Sequence, residues 1–398
     1  MRMTLLSSSF LVVLLSGSVA AAVREPGLPL INDVAQVVID PAVGGRAVSY
    51  TAGGRSWLWH DPAAVPVDAT IDQPWSYVQI GGFHLWPAPQ SRWKRGPAMG
   101  WPPPGWLDHG VYHVISRDAS SISLRSPVET HAEQTASGIQ ATLTYALVAA
   151  HSNRLTVTST FTNTTTYPQF WSHWHITTVQ LPANKQGCAV FPVRPTSAAG
   201  ERGYLVQMGN TTDARYERDG ALARGWWNGA SGKFSADSDG GWLAAEDRAT
   251  STVFVQRFTV DLSGPFGTYP EGNCPLSVYF GDKDGFTELE VMGPERELAP
   301  AATTSMAVEW SACRVDGPLR TVTPGGVVVR PLSRTSTHIT GSFGVHEVGT
   351  AVLTIAGTSV WSGPCTPAAP LVIDVPTNTP GPIKLVVGDR VLAELSVP

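Results

Sequence analysis

The stretch FTNTTTYPQFWSHWHITTVQL, residues 161–181, places two indoles and two imidazoles within residues 171–175. In an extended strand, successive side chains point to opposite faces. The side chains of His173 and His175 therefore share one face with Trp171, and Trp174 takes the other. Two titratable rings beside an aromatic surface suit a polar ligand with a flat face, such as a sugar. The alternative is that backbone partners satisfy the histidines inside a sheet.

The same alternation with a period of two extends along the chain. Apolar side chains alternate with polar ones in residues 139–147 and again in 155–161. This pattern is typical of half-buried antiparallel strands, and helical periodicity is nearly absent. The 39 glycines and 32 prolines follow no fixed period, which suits many short strands joined by tight turns. The sequence therefore predicts an all-β protein.

A domain boundary is predicted near residue 315. A strand pattern over 306–310 gives way to Asp316-Gly317-Pro318 and then to Pro324-Gly325-Gly326. Short β-rich segments separated by turn residues follow, which indicates a small sandwich. We predict a large antiparallel β-domain over 23–315 and a small C-terminal β-sandwich over 316–398.

The N-terminus has the pattern of an export signal. Arg2 supplies positive charge, residues 10–15 form an apolar core, and 20–22 offer alanines for cleavage. We therefore predict a signal peptide over 1–22 and an exported protein, periplasmic or secreted. The apolar run is shorter than the roughly 20 residues needed to span a bilayer, so we expect no membrane span. A mild net charge of −5 with 15% charged residues disfavours nucleic acid as a partner.

An even number of cysteines in an exported chain predicts disulfides. Spacing suggests most simply that Cys188 pairs with Cys274 inside the large domain and that Cys313 pairs with Cys365 to fasten the small one. The wide spacings argue against a zinc site, and we predict no metal.

Four segments within residues 33–312 resemble segments of the galactose mutarotase (aldose 1-epimerase) superfamily and follow the same order along the chain. They are GGR at 44–46, GGFHLWPAPQ at 81–90, the His173 segment, and FTELEVMGP at 286–294. The Trp-Pro-Ala-Pro-Gln motif resembles that of a bacterial branch. The resemblance implies a large β-supersandwich, with His173 at the position of the catalytic histidine and a glutamate supplied by the last segment.

Opening an aldose ring needs a base for the anomeric hydroxyl proton and an acid for the ring oxygen. A glutamate and a histidine suffice, so no cofactor is predicted. Glu288 and Glu290 are two apart and share one face of a strand, and burial could raise the pKa of either enough to make it a base. The resemblance favours Glu290 in one alignment and Glu288 in another. We lean to Glu290, and the alternative is that both form salt bridges on a sheet face.

Further sugar contacts are predicted around an aromatic loop over 75–106, because indole faces stack on pyranose C–H groups. The candidate substrate-binding residues are Arg46, His84, Trp86, Gln90, Trp93, Trp171 and His175. The alternative for the tryptophans is that they plug the open end of a sandwich.

Three functions are compatible with these features. The favoured one, an exported aldose 1-epimerase-like isomerase, would use His173 as acid and Glu290 or Glu288 as base. A noncatalytic saccharide-binding protein would use the same groove for recognition alone. A polysaccharide lyase would need a Tyr or His base with an Arg or Asn that neutralises a uronate, and a glycosidase would need two carboxylates at a suitable separation. The oligomeric state is not predicted.

Overall fold

The computed structural model describes residues 27–64, 77–93, 101–128, 138–148, 150–261, 269–283 and 285–396. The predicted signal peptide over 1–22 lies outside the described residues. The described residues form strands almost throughout. Helical structure there is limited to α1 (Gly105–Asp108), α2 (Pro270–Asn273) and two 3-10 turns at Gln90–Arg92 and Gly200–Arg202. None of these helices is long enough to cross a membrane.

The strands are numbered in chain order. The first group is β1 (Leu28–Ile31), β2 (Ala35–Asp40), β3 (Arg46–Ala52), β4 (Arg55–Ser56), β5 (Phe83–Ala88), β6 (His113–Arg117), β7 (Ser121–Arg125), β8 (Ile139–Leu147) and β9 (Leu155–Asn163). The second group is β10 (Gln169–Gln180), β11 (Gly187–Pro192), β12 (Leu205–Met208), β13 (Tyr216–Asp219), β14 (Leu222–Trp226), β15 (Gly232–Ala236), β16 (Trp242–Asp247), β17 (Thr252–Phe258), β18 (Leu276–Phe280), β19 (Phe286–Met292), β20 (Arg296–Leu298) and β21 (Thr303–Arg314). The last group is β22 (Thr321–Thr323), β23 (Gly326–Arg334), β24 (His338–Val345), β25 (Gly349–Ile355), β26 (Thr358–Cys365), β27 (Leu371–Pro376), β28 (Ile383–Val387) and β29 (Arg390–Leu395).

Two large antiparallel sheets build the main body. A seven-stranded sheet has the order β12-β15-β18-β19-β10-β20, with β5 also paired to β10. A ten-stranded sheet has the order β13-β14-β11-β16-β17-β21-β9-β8-β7-β6, and β1 to β4 form a smaller sheet. Every second residue of β8 and β9 is buried, as the alternation predicts. The inner faces of the two large sheets meet in one apolar core, where Phe83 packs on Tyr145 and Trp310 with ring centroids 6.0 and 5.6 Å apart.

The C-terminal part is a second sandwich of two four-stranded sheets, β22-β23-β24-β27 and β26-β25-β28-β29. Its own core includes Phe343, Leu353 and Leu385. The predicted division after residue 315 falls in the connection between β21 and β22. The predicted fold class, an all-β supersandwich followed by a small sandwich, is confirmed.

The small sandwich covers the outer face of the ten-stranded sheet. Val190 and Val255 of that sheet share a buried apolar cluster with Val327 and Val329 of the small sandwich. The guanidinium of Arg154 donates to Glu347 at 2.6 Å across the same boundary. Because this sheet is covered on both sides, its central strands β16 and β11 are buried along nearly their whole length.

The two predicted disulfides are absent: Cys188, Cys274, Cys313 and Cys365 are all buried free thiols. Cys188 lies on β11 in the ten-stranded sheet, whereas Cys274 lies two residues before β18 of the other large sheet. Cys313 and Cys365 belong to different apolar clusters. Spacing along the chain cannot reveal these positions, and the thiols are instead packing groups whose pKa is raised by burial.

Candidate functional site

A cavity of about 640 Å³ opens on the outer face of the seven-stranded sheet, the face turned away from the core. That volume lies in the range of small-molecule sites. Four tryptophans contribute to its wall, namely Trp59, Trp86, Trp101 and Trp174, and Tyr77, Tyr279 and Phe286 add further rings. The charged residues in the described lining are Asp61, Lys233, Asp282, Lys283, Glu288 and Glu290.

Strand register explains why these side chains meet. Ile176 of β10 lies opposite Glu290 of β19, and Glu290 lies opposite Ser277 of β18. Directly opposed residues of antiparallel strands point to the same side, as do residues two apart on one strand. Glu288 and Trp174 therefore share the outer face with Glu290.

The aromatic wall consists of two groups of edge-to-face contacts. Trp86 packs on Trp174 with ring centroids 5.5 Å apart and on Trp101 at 6.0 Å. Tyr77 contacts Trp101 at 4.7 Å. Trp59 contacts Phe286 at 5.0 Å on another part of the wall. Such pairs hold their rings in fixed orientations and leave apolar faces for a ligand.

Glu290 is an ion-paired carboxylate at the cavity floor. Its Oε2 accepts from the Lys233 ammonium at 2.8 Å and from the Trp174 indole N–H at 3.1 Å. The same ammonium lies 4.8 Å from the centroid of the Trp174 ring. Burial raises the pKa of Glu290, and Lys233 opposes that shift.

Glu288 differs from its neighbour because its polar partner is neutral. The Gln79 side-chain amide donates to Glu288 Oε1 at 2.7 Å, and Gln79 in turn accepts from the Tyr77 hydroxyl. Burial, together with the adjacent charge of Glu290, raises the pKa of Glu288 to about 8. Two carboxyls of one buried pair therefore stand in different environments, one beside an ammonium and one beside an amide.

Arg46, a predicted sugar contact, is buried behind the aromatic wall and is not part of the cavity lining. It is fully buried and donates to Asp108 Oδ1 at 2.7 Å and to the Gly81 carbonyl at 3.0 Å. Asp108 Oδ1 also accepts from the Trp86 indole at 2.6 Å. Burial alone would raise the pKa of Asp108, but the Arg46 guanidinium holds it below its usual value. The ion pair thus orients Trp86 rather than facing a ligand.

The structure does not bring the predicted acid, His173, to the glutamates. It lies on the inner face of β10, stacked on Phe161 with centroids 4.3 Å apart. Its Nδ1 and the Nε2 of His175 both hydrogen-bond to Ser159 Oγ, at 2.7 and 2.6 Å. Burial lowers the pKa of each histidine to about 3, and for His175 the neighbouring His173 adds to the effect. Both are therefore neutral core residues.

The remaining predicted contacts are dispersed. Trp86 and Gln90 line the cavity, while Trp93 is buried behind it and donates to the Pro87 carbonyl at 2.8 Å. Trp171 borders a separate depression of about 280 Å³. His84 is fully buried against Trp86, and neither ring nitrogen has a hydrogen-bond partner among the described residues. Their roles as ligand contacts stay predictions.

Several lining residues were not singled out from the sequence. Lys233 lies in the strand GKFSA, where Lys233 and Ser235 alternate with Phe234 and Ala236, so the alternation signalled its outward face. Gln79 in the lining and Asp108 behind Trp86 had no such signal. Both lie in segments outside the seven-stranded sheet, and their positions follow from the tertiary structure.

Solved structures that are similar to this chain come from several bacteria. A protein from Synechocystis sp. is 13% identical with a TM-score of 0.48, over 72% of this chain and 95% of that one. A galactose mutarotase-like protein from Lactobacillus casei is 11% identical with a TM-score of 0.47, over 72% and 99%. A galactose mutarotase related enzyme from Lactobacillus acidophilus is 10% identical with a TM-score of 0.45, over 71% and 96%. At such values the similarity does not bear on activity.

No curated protein matches the chain. A family model described as "Domain of unknown function (DUF4380)" matches residues 26–313, which is the main body with both large sheets and the whole cavity. The small C-terminal sandwich lies beyond the match. The chain therefore belongs to the DUF4380 family.

Proposed function

We propose that this protein is an exported carbohydrate-binding protein that holds a saccharide in the cavity on the seven-stranded sheet. The observation that carries the proposal is the combination of an aromatic wall with a carboxylate floor. Indole and phenol rings suit the C–H faces of pyranoses, and carboxylates accept hydrogen bonds from hydroxyls. The resemblance of the sequence to the galactose mutarotase superfamily supports the same ligand class.

Recognition without catalysis is favoured over the isomerase with His173 as acid. The imidazole of His173 lies on the opposite side of β10 from Glu290, and its Nδ1 is hydrogen-bonded to Ser159 Oγ. A proton donor on the core side of a sheet cannot reach a ring oxygen in the cavity, because general acids act within hydrogen-bond distance.

The binding proposal is tested by thermal unfolding of the mature protein, residues 23–398, with a panel of mono- and oligosaccharides. A ligand that binds only the native state raises the unfolding temperature as its concentration exceeds its dissociation constant. We expect at least one saccharide to do so. A panel that leaves the unfolding temperature unchanged at tens of millimolar contradicts the proposal.

Trp101→Ala and Phe170→Ala make a matched pair for locating the site. Both rings are exposed, by 39% and 50%, but only Trp101 lines the large cavity. Loss of one stacking ring should weaken saccharide binding by about ten-fold in the first variant and leave it unchanged in the second.

A second candidate is an acid–base enzyme that uses the two glutamates alone. Glu288, protonated, would be the acid, and Glu290, ionised beside Lys233, would be the base or nucleophile, a division of roles known for carboxyl pairs in unlike environments. Polarimetry with fresh aldoses and reducing-sugar assays with oligosaccharides test it. Activity that is lost in both Glu288→Gln and Glu290→Gln would favour this candidate over simple binding.

Export is proposed from the N-terminal pattern alone. Expression with residues 1–22 present should yield a processed chain in the periplasm or medium that begins near Val23. N-terminal sequencing of the exported product checks the cleavage position.

A further inference from the structure

The charges on the cavity wall are unbalanced. Its described lining carries four carboxyl groups, Asp61, Asp282, Glu288 and Glu290, against the two ammonium groups of Lys233 and Lys283. Carboxylates that line a partly closed cavity attract cations and repel anions, because low-dielectric walls strengthen their field. A uronate or a phosphorylated sugar is therefore a poor match for this site.

The imbalance is concentrated at Glu288. Lys233 pairs with Glu290 at 2.8 Å, whereas no ion pair to Glu288 occurs among the described residues. The Oε1 atom of Glu288 accepts from the Gln79 amide, and Oε2 has no protein donor in the described part of the chain. Glu288 is only 6% exposed, so water compensates its charge poorly, and with a pKa raised to about 8 the carboxyl ionises near neutral pH only when a cation pairs with it.

Lys233 shows how this cavity binds an ammonium. Its Nζ lies between the Glu290 carboxylate at 2.8 Å and the Trp174 ring at 4.8 Å. A carboxylate beside an aromatic face is a favourable environment for a cation because both carry negative charge toward it. Glu288 has similar surroundings, with Tyr279 directly opposite on β18 and Tyr77 linked to it through Gln79, but it lacks the cation.

We propose that the saccharide bound here is an amino sugar with a free ammonium group, which pairs with Glu288 while the pyranose ring stacks on the aromatic wall. This inference rests on the proposed carbohydrate-binding function and names the ligand class within it. An N-acetylated sugar would bring a neutral amide to the same position and leave Glu288 without a cation.

Isothermal titration of the mature protein with glucosamine, galactosamine, N-acetylglucosamine, glucose and glucuronate tests the proposal. We expect an amino sugar to bind at least about ten-fold more tightly than its N-acetylated and neutral counterparts, as close charge pairs with little solvent access contribute at that level. Glucuronate should be the weakest ligand. The protein should be titrated at near-neutral pH and moderate salt.

Three variants sharpen the result. Glu288→Gln should bring amino-sugar and neutral-sugar affinities within about two-fold of each other. Lys233→Gln should enlarge the preference for amino sugars, because it leaves Glu290 without its ammonium. This variant provides an independent test if Glu288→Gln fails to fold. Glu295→Gln, which changes a carboxylate outside the cavity that pairs with Arg92, should leave the preference unchanged.

The outcomes separate the two proposals. Equal affinity for glucose and the amino sugars, or tighter binding of glucuronate, overturns the ammonium inference while the carbohydrate-binding function stands. Absence of binding by every sugar of the titration and of the wider panel overturns both. A preference for amino sugars that survives in Glu288→Gln and is unaltered in Lys233→Gln shows that another group holds the ammonium and overturns the assignment to Glu288.

Discussion

The two faces of strand β10 carry similar polar aromatic side chains in different environments. On the outer face Trp174 forms part of the cavity wall and donates to Glu290. On the inner face, one residue away on either side, His173 and His175 are enclosed in the core and share Ser159 as a partner. The difference shows that a polar aromatic motif alone does not identify a ligand site, because one face of its strand is covered by the core and the motif does not show which.

The inner face should show the largest effect on stability. Phe161→Ala removes a fully buried ring that stacks on His173, so we expect a loss of about 3–5 kcal/mol in the free energy of unfolding from the lost transfer energy and the cavity left behind. Urea denaturation of the two proteins measures it. A loss below about 1 kcal/mol would show that this face is not the packed core.

On the outer face, ionisation of the Glu288 carboxyl should lower the free energy of unfolding as pH rises. The folded-state pKa of Glu288 lies above its unfolded value, so the folded protein binds more protons in between, and stability falls as pH rises from about 4.5 to about 8. Glu288→Gln should therefore be more stable than wild type by roughly 3–5 kcal/mol at about pH 9, because each pKa unit between about 4.5 and about 8 corresponds to about 1.4 kcal/mol.

The gain should vanish by about pH 3, where the Glu288 carboxyl is protonated in both states. Denaturant titrations at both pH values measure the difference, with Glu295→Gln as the matched control. A variant that is no more stable than wild type at the higher pH contradicts the uncompensated state of Glu288.

Ser159→Ala tests the inner face with less disturbance of packing. It leaves nitrogens of two buried histidines without their partner, which should cost about 1–3 kcal/mol. Burial lowers the pKa of both histidines to about 3, so the folded protein binds fewer protons than the unfolded chain below about pH 6.5. The free energy of unfolding therefore decreases as pH falls from about 6.5 to about 3. Saccharide affinity should be unchanged, and a large loss of affinity would place these histidines in the site after all.

The smallest effect on stability is expected from Trp101→Ala on the outer face. The ring is partly exposed, so the free energy of unfolding should change by less than about 1 kcal/mol although saccharide affinity falls. Chemical denaturation beside titration calorimetry separates the two quantities. A strong destabilisation would mean that the tryptophans close the end of the sandwich rather than contact a ligand.

Much of the fold was predictable because alternation is a local property. The apolar positions of β8 and β9 predicted half-buried strands, and the turn residues near 316–326 predicted where the small sandwich begins. The cysteines were not predictable in this way. Cys188 and Cys274 end in different sheets, and no spacing along the chain encodes which strands become neighbours.

The order of residues along each strand already shows which side chains share a face: Glu288 with Glu290, and His173 with His175 but not with Trp174. Which of these faces meets the second sheet and which opens to the cavity depends on how the strands pack in three dimensions. The order of residues cannot show this because a period of two is symmetric between the two faces of a strand. Trp174 and His173 both satisfy it, and the packing of Phe83, Phe161 and Trp310 selects the covered side.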